Sequence, residues 1–382
     1  MAISSTTRLG SRVLIADDQE DVLSALELLL KAEGYETDSV TSPGAVLESI
    51  RNRDYDVLLV DLNYARDTTS GQEGLDLLSS VRAFDKSLPV IAMTAWGSVE
   101  LAVEAMRGDL REFIQKPWDN DYLLGLIEAQ IVQGRSVRHA ESTKSQEEDE
   151  ARSIQRALMP SDVSNPDGFH ISHDWRPVRH VGGDYFDVLP LSETSRGICI
   201  ADVVGKGMPA ALLMSNVQAL VHAYAAADVA PESLCRKVNR TLASNIPDNK
   251  FVTLFYGILD AGSGCFAYTN AGHNNPIVVR ENGATEQLTD GGLVVGALSD
   301  WDYECGEIRL LPGDRLVLYT DGVNEAMDPS GREFGEDHLI DLARAHRAES
   351  PDALRGVIMD AVDHFCEGIY LDDVTVMVIG VD

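Results

Sequence analysis

Positive charge is what this chain has little of: 31 lysines and arginines stand against 62 aspartates and glutamates, a formal net charge of −31 over 382 residues. Such a molecule repels a phosphate backbone, and no Lys/Arg cluster offsets the repulsion. Nucleic acid is therefore excluded as a primary partner, and an anionic membrane surface with it. Long apolar runs are missing too. No stretch of 18 apolar residues occurs, so no membrane-spanning helix is expected. Residues 1–10 are polar, without the apolar core of a signal peptide. Cysteine is sparse. Cys199, Cys235, Cys265, Cys305 and Cys366 are scattered and odd in number, with no C-x-x-C pair. They are expected to be buried free thiols in a reducing cytoplasm.

Hydrophobic residues make up 44% of the chain, enough for ordinary cores, and the length points to two domains. From Arg12 the first third alternates short β runs with amphipathic helical runs. The β runs are 12–16, 36–40, 56–62, 89–94 and 110–115. Helical patterns fall at 20–32, 43–52, 72–84 and 98–107, and a last helix starts from Asp119. Five β-α repeats at this spacing predict a parallel sheet covered by helices on both faces. In such sheets ligands bind outside the carboxyl ends of the strands. There the chain places Asp17-Asp18, Asp61, Thr94 and Lys116-Pro117. Three carboxylates make a cation site. A cation with Lys116 and Thr94 can neutralise a phosphoryl group carried on the central carboxylate.

At these residues the stretch resembles the response-regulator receiver domain, over 12–133. The resemblance implies that Asp61 accepts phosphate from a histidine kinase. It implies that Asp17, Asp18, Asp61 and the carbonyl of Asn63 hold one Mg²⁺. Thr94, Lys116 and Phe113 fall on the family's switch residues. The loop from Asn63 to Glu73 is longer and more polar than usual and, with Thr94-Ala-Trp-Gly, is similar to receivers of NtrC-like regulators.

The connector, 134–160, is first almost devoid of apolar residues. It then shows an i, i+4 pair, Ile154 and Leu158, before Pro160, which cannot continue a helix. Its polar part reads as a solvated helix or flexible tether, and in the sharper alternative as a helical lever. Val132, Val137, Ala140, Ala151, Ile154 and Leu158 form only a broken seam. A homodimer is expected from the receiver family and not from that seam.

The last part, 161–382, is mostly short alternating β runs: 169–177, 185–191, 196–203, 251–260, 265–271, 276–280, 306–310, 314–319 and 374–381. Helical blocks interrupt them at 208–227, 231–245, 336–347 and 351–367. An α+β sandwich follows, sheets inside and helices outside. Aspartates recur at the strand ends, in Val181-Gly-Gly-Asp184-Tyr-Phe-Asp187, Asp202-Val-Val-Gly-Lys-Gly207, Tyr319-Thr-Asp321-Gly and Leu371-Asp372-Asp373-Val-Thr375. One Asp-Gly pair is turn chemistry. Four aspartate-bearing strand ends are better read as one site for hard divalent cations, which take oxygen ligands.

These segments, with Ala271-Gly-His273-Asn-Asn-Pro276 and Ile154-Gln-Arg-Ala-Leu158-Met-Pro160, resemble the metal-dependent protein phosphatases (PPM, type 2C) of the SpoIIE/RsbU type. The resemblance implies an α-β-β-α sandwich. It implies two Mg²⁺ or Mn²⁺ ions held by Asp184, Asp202, the Val203 carbonyl, Asp321 and Asp372, with Asp373 as a fallback ligand. It also implies a serine/threonine phosphatase whose substrate is a phosphorylated anti-sigma factor antagonist of the STAS type in a partner-switching pathway. Asp187 reads as either an outer partner of the site or a turn residue. Arg179 reads as a phosphate grip or a plain surface arginine. His273 reads as a general acid or a structural turn residue. The rival to the enzyme is an inactive PPM-fold adaptor that binds a sigma factor or anti-sigma protein. The presence of all four aspartates favours the enzyme.

Overall fold

The structure is a computed structural model that describes residues 8, 10–62, 64, 72–94, 112–160, 163, 165–247 and 249–382. The expected helix at 98–107, Asn63, Trp96 and residues 65–71 of the long loop lie outside the described residues. The chain divides into two compact units, Met1–Gln146 and Glu147–Asp382.

The first unit holds strands β1 (Arg12–Ala16), β2 (Glu36–Val40), β3 (Val57–Asp61), β4 (Val90–Thr94) and β5 (Glu112–Gln115). They pair in parallel in the order β2-β1-β3-β4-β5. The period of two along each strand sends alternate residues to opposite faces. Val13, Ile15, Val57, Leu59, Ile91 and Met93 pack on helix α1 (Glu20–Ala32) and on Leu123, Ile127 and Ile131. Leu14, Ala16, Leu58, Val60, Val90 and Ala92 pack on α2 (Pro43–Asn52) and α3 (Gln72–Phe84). Both faces being covered explains why β3 and β4 are fully buried and nearly all apolar.

Helix α4, Asn120–Leu158, runs for 39 residues. The polar stretch, for which the sequence leaves a solvated helix, a tether and a lever all open, is helical throughout, and the helix stops two residues before Pro160.

The second unit has two sheets. One has the order β13-β10-β9-β8-β7, with β14 also pairing β10. Its strands are β7 (Tyr185–Pro190), β8 (Ser195–Val203), β9 (Val252–Asp260), β10 (Cys265–Ala271), β13 (Gly291–Gly292) and β14 (Gly306–Arg309). The other has the order β12-β11-β15-β16-β6. It comprises β6 (Phe169–Arg176), β11 (Ile277–Val279), β12 (Thr285–Gln287), β15 (Arg315–Tyr319) and β16 (Val374–Val381). Helices α5 (Met208–Tyr224) and α6 (Pro231–Ala243) contribute Met214, Val217, Val221, Leu234 and Val238 to the core of the first sheet. Beyond a single turn at Asp321–Asn324 (α7), helices α8 (Glu336–Ala345) and α9 (Pro351–Phe365) cover the second. Alternation again divides the layers. Leu316, Leu318, Met377 and Ile379 join the core of the first sheet, whereas Val317, Tyr319, Val376 and Val378 face α8 and α9. This is the expected helix-sheet-sheet-helix sandwich. The cysteines are all free, but only Cys199, Cys235 and Cys366 are buried; Cys265 is half-buried and Cys305 exposed. No helix among the described residues is long and apolar enough to cross a membrane.

Candidate metal and phosphoryl sites

In the first unit the parallel strands deliver their polar ends to one edge. Asp17 follows β1, Asp61 ends β3 and Thr94 ends β4; all three are buried. The Lys116 ammonium donates to Asp17 Oδ2 at 2.6 Å and to Asp61 Oδ2 at 2.8 Å. Burial alone pulls this ammonium toward the neutral form, but the two carboxylates outweigh it and raise its pKa. Asp17, Asp18 and Asp61 offer ligand atoms that all lie within 4.8 Å of one another, the one such set among the described residues. Asp18 Oδ1 is buried with no hydrogen-bond partner. An orphaned carboxylate oxygen beside two more carboxylates fits a hard cation. Phe113 is 39% exposed. Asn63 lies outside the described residues.

In the second unit antiparallel pairing makes the site. Tyr185 opposes Ala201 across β7 and β8. Continuing that register by one residue sets Asp184 against Asp202. On the other sheet Tyr319 opposes Val376, and the next backbone bond runs from Thr320 to Thr375. Both threonine hydroxyls donate to Asp184 Oδ2, that of Thr320 at 2.8 Å. The end of one sheet thus grips the key carboxylate of the other. Asp184 Oδ1 stays buried without a hydrogen-bond partner.

The electrostatics are those of crowded anions. Burial first, then the charges of Asp202 and Asp373, push Asp184 well above the usual carboxylate range. Burial and the charges of Asp321, Asp372 and Asp373 push Asp202 up to about 7. Burial, Asp372 and Glu325 push Asp321 up to about 6. Asp372 is more open. It pairs with Lys206 at 2.6 Å, and its Oδ1 accepts the Asp373 amide. These carboxylates are not gathered as tightly as those of the first unit. The set nevertheless fits a divalent cation, because Asp184 keeps a buried oxygen free and its neighbours repel one another. The Val203 carbonyl faces the same turn. A Cβ on Gly183 would come within 2.9 Å of it, so only glycine fits there.

Three residues with open readings have partners of their own. Asp373 accepts the amides of Val178 and Gly183 on its two oxygens at 2.7 and 2.6 Å, which shapes the turn that carries Asp184. Asp187 faces away from the site, holding Tyr185 Oη at 2.8 Å and His222 Nε2 of α5 at 2.7 Å, and so ties that helix to its sheet. His273 is buried, which pushes its pKa down to about 4, and its Nδ1 lies 2.8 Å from Thr253 Oγ1. A neutral, enclosed imidazole is not a general acid at neutral pH.

Thr320, Thr375 and Gln155 carry roles that the motifs did not assign. Gln155, on α4 and 3% exposed, donates through Nε2 to the Gly182 carbonyl at 2.7 Å and accepts the Gly182 amide through Oε1 at 3.0 Å. Gln155→Ala leaves both backbone groups buried and unpaired, at a cost of about 2 kcal/mol. Denaturant unfolding of the full chain should show that loss. An unchanged midpoint would mean the pair is not holding the turn.

A pH dependence follows from the raised carboxylates. Their folded pKa values exceed the unfolded value of about 3.9. The folded state then binds more protons than the unfolded between pH 4 and 7, so their contribution falls as pH rises through that window. Added Mn²⁺ should raise the melting temperature more at pH 7.5 than at pH 5, and Asp202→Ala should lose much of this difference. Equal shifts at both pH values would contradict the assignment.

The family profile for stage II sporulation protein E (SpoIIE) matches residues 192–382, and that for the response regulator receiver domain matches residues 13–128. The chain is 30% identical over 230 residues to phosphoserine phosphatase RsbU of Bacillus subtilis, covering 60% of this chain and 68% of RsbU. It is 25% identical over 258 residues to protein IcfG of Synechocystis, covering 60% of this chain but only 41% of IcfG. The SiaA-PP2C domain of Pseudomonas aeruginosa shares the fold, with a TM-score of 0.56 at 22% identity over 64% of this chain and 99% of that one.

Proposed function

The chain belongs to the stage II sporulation protein E family, and from that membership we propose that its second unit is a metal-dependent protein serine/threonine phosphatase controlled by phosphorylation of Asp61 in the receiver domain. The observation that carries the reading is Asp184, clamped by two threonines through one oxygen while the other stays buried and free. Asp184, Asp202, Asp321 and Asp372, with the Val203 carbonyl, would hold two Mg²⁺ or Mn²⁺ ions; Asp17, Asp18 and Asp61 would hold one Mg²⁺. Bound there, such ions supply an activated water and offset charge on the phosphoryl group. The chain's own residues do the positioning. Thr320 and Thr375 fix the rotamer of Asp184, Asp373 and Gln155 set the turn before it, and Lys206 brings positive charge beside Asp372.

The proposed substrate is phosphoserine or phosphothreonine on an anti-sigma factor antagonist of the STAS type; similarity to RsbU supports it. The proposed phosphodonor is a histidine kinase, acting on a homodimer, with residues 134–160 as the connector. The test is release of inorganic phosphate from a phosphoserine protein by the purified chain. Release should need Mn²⁺ or Mg²⁺ and stop on chelation. No release at saturating Mn²⁺ would sink the reading.

A further inference from the structure

Cations are scarce here, and many arginines are paired, as Arg12 is with Glu36, Arg135 with Asp56 and Arg280 with Asp314. Arg152 and Arg179 differ. Among the described residues neither makes a hydrogen bond or an ion pair, and both are exposed. They line one cavity of about 630 Å³ in the second unit, together with Glu148, His180, Lys206 and Met208. Lys206 pairs with Asp372, and Glu148 lies 3.4 Å from His180; with Glu148 set against one arginine, Arg152 and Arg179 together still leave the cavity with net positive charge. The cavity also shares a wall with the carboxylate site. Lys206 reaches from it to Asp372, and a Cβ on Gly207 would meet the Arg179 side chain at 3.3 Å.

We propose that this cavity docks an acidic segment flanking the phosphorylated residue of the protein substrate, with Arg152 and Arg179 gripping its carboxylates. A guanidinium fork matches a carboxylate in two-pronged geometry. A molecule of charge −31 repels acidic ligands at long range, so an acidic substrate needs a local basic recess to approach the site. The recess selects for acidic flanks by electrostatic complementarity, which sets specificity and on-rate.

This inference rests on the phosphatase reading, and the test separates the two. The full chain with Mn²⁺ is first given p-nitrophenyl phosphate; no turnover there overturns the phosphatase reading itself. It is then given two phosphoserine peptides of equal length, one flanked by glutamates and one by alanines. Wild type should prefer the acidic peptide by about tenfold in kcat/KM, mainly through KM, and the preference should shrink with added salt. Arg152→Ala should remove most of that preference and Arg152→Lys should restore part of it. A fluorescent acidic peptide should show the same order in anisotropy without turnover. Hydrolysis of p-nitrophenyl phosphate with no preference in wild type, or a preference unchanged in Arg152→Ala, would overturn the docking role alone.

Discussion

Replacing Asp202 with alanine is expected to abolish Mn²⁺-dependent hydrolysis of a phosphoserine protein, by about a thousandfold or more in kcat/KM, some 4 kcal/mol of transition-state stabilisation. Asp202 is the penultimate residue of β8, set against Asp184 when the Tyr185–Ala201 register is continued by one, and burial with three further carboxylates pushes its pKa up to about 7. Its charge is therefore costly in the bare protein. For the same reason the substitution should not lower the melting temperature of the metal-free chain, because it removes repulsion. Activity assays with and without Mn²⁺, and thermal unfolding without metal, check both halves. Undiminished turnover would remove Asp202 from the site; a large drop in metal-free stability would make it a structural residue.

The second large effect concerns control. In wild type, acetyl phosphate with Mg²⁺ is expected to raise the phosphatase rate by about tenfold, within the range of ordinary allosteric coupling. Asp61→Asn should eliminate the response. The asparagine keeps the side chain's shape and its place beside Lys116, but it has no carboxylate oxygen to form the acyl phosphate. Basal turnover should persist in this variant. A response to acetyl phosphate that survives Asp61→Asn would place the switch elsewhere, and a fall in rate on phosphorylation would reverse the sign of control.

Much of this architecture is legible in the sequence for a local reason. Strands such as Arg12–Ala16, Ser195–Val203 and Val374–Val381 carry enough apolar or alternating residues to declare themselves, and aspartates stand at or beside their ends. Thr285–Gln287 and Gly291–Gly292 are too short to show a period and are not foreseen. The polar part of α4 has no apolar stripe, so composition does not separate a tether from a helix. In the site, Asp184 and Asp202 stand out by their glycine-rich surroundings, but Asp187 and Asp373 lie within the same motifs and have a different fate. What separates them is which amides, hydroxyls and imidazoles the fold brings to their oxygens, and Val178 or His222 is distant in sequence from the carboxylate it meets. Thr320 and Thr375 lie inside quoted motifs, yet only the pairing of β15 with β16 and the approach of the other sheet aim both at Asp184.

Calorimetric titration of Mn²⁺ into the full chain measures directly whether the C-terminal carboxylates take up divalent ions. Wild type should bind more Mn²⁺ than the Asp184→Ala/Asp202→Ala chain, the difference being the ions of the second unit, while the uptake due to Asp17, Asp18 and Asp61 remains in both. Identical isotherms for the two chains would contradict ion binding in the second unit.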